Sequence, residues 1–162
     1  MSRVKMLPDD VKKICISLVK GYARRKEAYN LRRAELINNT PNNIVMIKDP
    51  EHPDDERKAE GVYIAGSRFA SRTTEDIAEK ILGLESLPET QRMRAVEYAA
   101  NNVGSDLNEK DRNILINAIF KSCIQGRKSP FERLGVEGME RSCFYERRLK
   151  FLVDIAKYMK MI

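Results

Sequence analysis

Any catalysis by this 162-residue chain would have to be assembled from a short list of groups. It has a single histidine, His52, set between Pro50 and Pro53, and a Ser–His–Asp or Cys–His arrangement would have to be built around it. Such a proline-flanked histidine reads as an exposed loop residue. The three cysteines, Cys15, Cys123 and Cys143, form no CxxC pair, and together with His52 they lack the short ligand spacings of a zinc site. The acidic run Asp49, Glu51, Asp54, Asp55, Glu56 has neither the glycine nor the alternation of a calcium loop. No GxGxxG or GxxxxGK[ST] phosphate loop occurs. The expectation is a protein that is not an enzyme and that uses no cofactor and no metal.

A different chemistry is concentrated near the C-terminus. The stretch "MERSCFYERRLKFL", residues 139–152, sets an aromatic pair among four cations. On a helix, Arg141, Ser142, Tyr145 and Arg148 fall on its N-terminal part, with Arg147 beside them. Arginine suits a DNA groove because its planar fork pairs with guanine O6 and N7, and a serine hydroxyl can hold a phosphate or a base edge. Tyr145 reads either as a base contact or as a half-buried core aromatic. Arg127 and Lys128 lie just upstream, where they would hold phosphates and fix position without specifying sequence. Double-stranded DNA is the expected partner.

The charge distribution agrees. Residues 1–37 hold 10 Lys/Arg against 4 Asp/Glu, residues 38–119 hold 10 against 15, and residues 120–162 hold 10 against 5. Basic ends around an acidic middle point to a polyanionic partner; ordinary solvated helix faces are the competing reading. The odd number of cysteines and the absence of an apolar leader favour a reducing, cytoplasmic setting. No apolar run approaches the roughly 20 residues of a membrane span.

The elements that would position these groups read as all-α, in three parts. Residues 1–37 form a basic N-terminal helical arm, one long helix from about Pro8 to Ile37, with Val11, Ile14, Leu18, Tyr22, Tyr29 and Leu36 as its apolar face. At ~45 Å such a helix is too long to pack wholly on so small a domain, so it projects, lies along a partner or pairs with a second copy. Homo-oligomerisation through it is expected. Residues 38–71 break the period and form an irregular connector, where "IVMI" and "VYIA" are candidates for a small hairpin. Residues 72–162 form a helical domain. Within it, Ser86 and Glu89 stand at capping-box spacing, and Gly104 and Gly126 mark helix ends.

The order from about residue 107 to 162 is that of a helix–turn–helix. A helix with the row Leu115, Ile119 and Cys123 precedes a short supporting helix with Ser129 as N-cap and Pro130 as its first residue. Gly138 then supplies the turn, Met139 plugs the junction, and a long basic helix runs from Glu140 to Met159. On that last helix, Phe144, Phe151 and Ile155, with Leu149, Leu152, Ala156 and Met159, form the stripe that packs it down.

These residues carry a resemblance. "LNEKDRNIL" resembles the opening helix of sigma-factor region 4. "MERSCFYERRLKFLVDIAKYM" resembles the closing helix of RinA-type and ArpU-type late transcription activators of phages and prophages. The likeness covers roughly residues 107–162 and extends loosely to "AYNLRRAEL" in the arm. It implies a sequence-specific transcriptional regulator acting with host RNA polymerase, with residues 140–148 as the recognition segment. The sequence departs from the usual pattern where a small residue stands four before the turn glycine: Leu134 precedes Gly138 and Phe131 precedes Gly135. Two other classes fit the same text: a small-terminase-like DNA-packaging subunit, and a protein-interaction module whose basic helices meet an acidic partner.

Overall fold

The computed structural model describes residues 6–38, 46–49, 52–58 and 74–162. Its architecture is all-α, with one two-stranded ribbon in the connector. The helices are α1 (Asp9–Lys20), α2 (Tyr22–Asn38), α3 (74–86), α4 (Pro88–Asn102), α5 (Glu109–Gln125) and α6 (Arg141–Tyr158). The chain divides into two compact units, one of residues 1–27 with 88–162 and one of residues 28–87.

The single arm helix expected over 8–37 is two helices that meet at Gly21. The ladder survives the junction: Gly21 N–H donates to the Ser17 carbonyl at 3.1 Å, and Arg25 N–H to the Gly21 carbonyl at 3.1 Å. Pro8 caps α1 with extended backbone, and Asp9 and Asp10 sit in the first turn, where the helix dipole favours negative charge. The apolar face differs from expectation at one position. Cys15, Leu18 and Val19 are buried while Ile14 is 48% exposed. Counting by four and three from the half-buried Val11 gives 15, 18 and 22, so residue 14 falls off the inward row.

In the first unit, α4 packs on α6, and α1 lies across α4, α5 and α6. The core takes Leu18 and Val19 from α1, Val96 and Ala99 from α4, Leu115 and Ile119 from α5, and Phe144, Phe151, Leu152 and Ile155 from α6. The α5 row Leu115, Ile119 and Cys123 is buried as its spacing predicts, with Ile116 and Phe120 half-buried beside it. Small residues on α4, Ala95 and Ala99, let its backbone come close to its neighbours. Aromatic contacts run from Tyr22 to Phe120 (ring centroids 5.6 Å apart) and on to Phe151 (5.8 Å), which joins the start of α2 to α5 and α6.

The basic arm is tied to the acidic middle of the chain. Glu97 of α4 accepts from Tyr22 Oη at 3.1 Å and from Lys26 Nζ at 2.6 Å, and Arg94 reaches its other oxygen at 2.6 Å. Arg25 Nε donates to Glu89 at 2.7 Å and its guanidinium also reaches the Leu18 carbonyl. Glu89 therefore serves an ion pair, and Ser86 donates to the Gly83 carbonyl, so the capping box suggested by their spacing is not formed.

In the second unit, β1 (Met46–Asp49) pairs antiparallel with β2 (His52–Lys58), with Met46 opposite Lys58 and an irregularity between Lys48 and Asp49. "IVMI" thus overlaps a strand, its partner begins at His52, and "VYIA" lies outside the described residues. Tyr29 is buried and donates to Glu85 of α3, and Leu84 is buried nearby in sequence.

Candidate nucleic-acid interface

The segment between α5 and α6 sets the geometry of the basic end. Asn108 caps α5 by accepting the Asp111 N–H at 2.8 Å. Gly126 ends α5 at φ +56, and Gly138 just before α6 sits at φ +76, a conformation that a side chain would strain. The supporting helix expected from Ser129 is instead a single 3-10 turn, Phe131–Arg133, preceded by another, Gly126–Lys128. Ser129 does not cap it: its hydroxyl donates to Gln125 and its N–H to the Gly126 carbonyl. Residues 126–140 therefore join α5 to α6 in place of the three- to four-residue turn of a regular helix–turn–helix. The bulky residues of this stretch account for the difference. Leu134 is buried, and Phe131 packs on Phe144 with ring centroids 5.5 Å apart, so the segment is held as a loop folded onto the base of α6. Met139 is half-buried against the same core.

The expected contact residues separate into three groups. Arg141, Ser142 and Tyr145 are exposed on the first turns of α6. Arg141 is 66% exposed; among the described residues its one carboxylate neighbour is Glu132 at 3.7 Å, and its guanidinium stands 5.8 Å from the Tyr145 ring centre. Tyr145, at 38% exposure, also packs edge-on against the buried Phe144, so it has both an inner and an outer contact. Arg127 and Lys128 are exposed on the first 3-10 turn, and neither has a hydrogen-bond or ion-pair partner among the described residues.

Arg147 and Arg148 are placed differently. Arg147 is 23% exposed and grips Asp106 through both terminal nitrogens, at 2.8 and 2.7 Å. The hydrogen bond from Arg147 brings the Asp106 carboxyl down to about 2, and the same pairing pushes the arginine above its ordinary range. Arg148 is half-buried and directed at the Cys123 thiol of α5, with its Nε buried and without a hydrogen-bond partner among the described residues. This corrects the expected outward placement of Arg148. It precedes Leu152 by four residues and Ile155 by seven, so the row that carries those two into the core carries Arg148 inward as well. Burial pushes the Cys123 thiol up, partly offset by the nearby guanidinium.

Sequence reasoning missed two residues of this surface. Arg133 is exposed without a partner among the described residues, and it lies within the stretch expected to form the supporting helix. Asp106 lies 41 residues from Arg147, and no local spacing could have linked them. Among the described residues, no group of three His, Cys, Asp or Glu side chains could hold a metal ion, and no helix is long and apolar enough to cross a membrane. Comparison with protein families, with curated proteins and with solved structures gives no match.

Proposed function

We propose that this protein is a sequence-specific DNA-binding regulator, not an enzyme, and that the base of α6 with the 126–140 loop forms its contact surface. One observation carries the reading. Arg25 and Lys26 of the arm are taken up by Glu89 and Glu97, whereas Arg127, Lys128 and Arg133 are exposed and without an ion-pair partner among the described residues, and Arg141 is only loosely engaged. Free guanidinium groups flanking a helix N-terminus suit phosphate and base-edge contacts. In this reading Arg141, Ser142 and Tyr145 read bases, and Arg127, Lys128 and Arg133 hold phosphates. Arg148, turned toward Cys123 of α5, takes no part in the contact.

The resemblance of "LNEKDRNIL" and of the α6 sequence to sigma region 4 and to RinA- and ArpU-type activators extends the proposal. The protein is then a phage or prophage regulator that works in the cytoplasm with host RNA polymerase, as a homo-oligomer joined through its N-terminal helices. Selection from a random duplex pool tests it. Recovery of one motif, with affinity for that motif reduced by ~1–3 kcal/mol in R141A, supports the regulator. Salt-sensitive binding without enrichment indicates a packaging-type subunit, and no binding to duplex at all indicates a protein-interaction module.

A further inference from the structure

The bidentate pair between Arg147 and Asp106 bears on how the surface tells one DNA from another. Within residues 140–148 there are three arginines, Arg141, Arg147 and Arg148, and two glutamates, Glu140 and Glu146. Arg148 is half-buried with its Nε enclosed and faces Cys123, which leaves Arg147, its side chain 23% exposed, as the arginine beside Arg141 that meets a surface carboxylate. Its fork is already filled. Both terminal nitrogens face the two Asp106 oxygens in the arrangement that a phosphate would otherwise adopt. Asp106 stands in the α4–α5 connection with its side chain 61% exposed, outside the core, and makes no other side-chain ion pair among the described residues. A buried structural bridge would hide its carboxylate; this one leaves it at the surface, where a competing anion can meet it.

We propose that Asp106 is a specificity-determining residue. It occupies the Arg147 fork and so withholds that cation from the phosphates of arbitrary duplex, leaving affinity to depend on the base-reading side chains of α6. The proposal rests on the DNA-binding reading above. An intramolecular carboxylate lowers non-specific affinity, because any phosphate must first displace it, and a contact that opposes wrong partners is as much a source of discrimination as one that attracts the right partner.

The test measures random-duplex binding by the full chain across a salt series. In D106N the neutral amide no longer competes, and Arg147 becomes available. The expected result is about fivefold tighter binding near 0.15 M salt and a log–log salt slope steeper by about 0.9, the signature of one added phosphate contact. In D106N/R147A both changes revert to the values of the unmodified protein. A purely structural role for the pair would alter melting temperature but leave the salt slope where it was. If the unmodified protein binds duplex while D106N matches it in affinity and slope, or if the gain survives in D106N/R147A, the proposal is overturned and the DNA-binding reading stands. If the unmodified protein binds no duplex, both fall together.

Discussion

Glu97 of α4 lies 2.6 Å from Lys26 of α2, and the same carboxylate oxygen takes the Tyr22 hydroxyl at 3.1 Å. The acidic middle of the chain therefore has an internal use: it neutralises the part of the basic arm that packs against it. The Glu97 side chain is 20% exposed and that of Lys26 is 38% exposed, so the pair is partly screened, but the three donors converging on one carboxylate make the site more than a surface contact.

Glu97→Gln removes the charge that holds Tyr22, Lys26 and Arg94 together. With allowance for screening by solvent, it should cost about 1–2 kcal/mol. The midpoint of urea unfolding, at unchanged slope, measures it. A shift no larger than that of an exposed control such as Glu109→Gln would show that the cluster contributes little.

The same site predicts acid sensitivity. Burial tends to raise the Glu97 pKa, but the hydrogen bonds from Lys26, Arg94 and Tyr22 outweigh it, and the net shift is downward from the ordinary 4.5. In the interval below 4.5 the unfolded chain binds the proton and the folded one does not. The contribution is thus whole above that pH and drains away as pH falls through the folded value. Melting temperatures of the unmodified protein and of E97Q should converge as pH drops below 4.5. A gap that stays constant down to the acid transition would contradict this assignment.

Tyr22 gives the alkaline counterpart. Burial first, and the adjacent Glu97 charge second, push its phenol from 10.0 up to about 12. A raised folded pKa keeps the proton on the native state, so stability attributable to this group is intact below pH 10 and is lost as pH climbs toward 12. Ultraviolet titration should show a late-ionising tyrosine component that shrinks by one phenol in Y22F. If Y22F leaves the titration curve unchanged above pH 11, the hydrogen bond to Glu97 is not holding the phenol neutral.

Two substitutions on α6 separate its inner and outer roles. Phe144→Ala opens a fully buried site that also anchors Phe131, and should cost ~3–5 kcal/mol. Tryptic cleavage at Arg127, Lys128 and Arg133 should accelerate with it, since the loop they occupy loses its anchor. Arg148→Met should leave stability unchanged or raise it by up to about 1 kcal/mol, because it fills the same volume without an unpartnered buried donor. A several-fold loss of DNA affinity in a fully folded R148M would mean that Arg148 reaches outward after all.

The sequence made the helices legible wherever apolar spacing was regular. The α5 row of Leu115, Ile119 and Cys123 and the α6 row of Phe144, Phe151 and Ile155 are buried as their periodicity requires. The ends marked by Gly104, Gly126 and Gly138 take positive φ. What stayed hidden was set by tertiary contacts. The short "SPFERLG" stretch carries good helix-start chemistry, yet Phe131 and Leu134 are drawn into the core and leave only a 3-10 turn. Arg148 and Arg147 look alike in sequence. Only the fold shows that one faces Cys123 and the other Asp106. In the same way, the charge imbalance between the ends and the middle was readable, but its pairing of Arg25 with Glu89 spans 64 residues.

The three cysteines have unequal access to solvent: Cys15 and Cys123 are buried, while Cys143 on α6 is partly open. Native protein should therefore react with a maleimide at one thiol and unfolded protein at all three. Cys143 sits one turn before Arg147 and next in sequence to the exposed Ser142. The molecule thus carries its own chemical footprint probe, whose alkylation rate reports, without any engineered label, whether a bound duplex covers the base of α6.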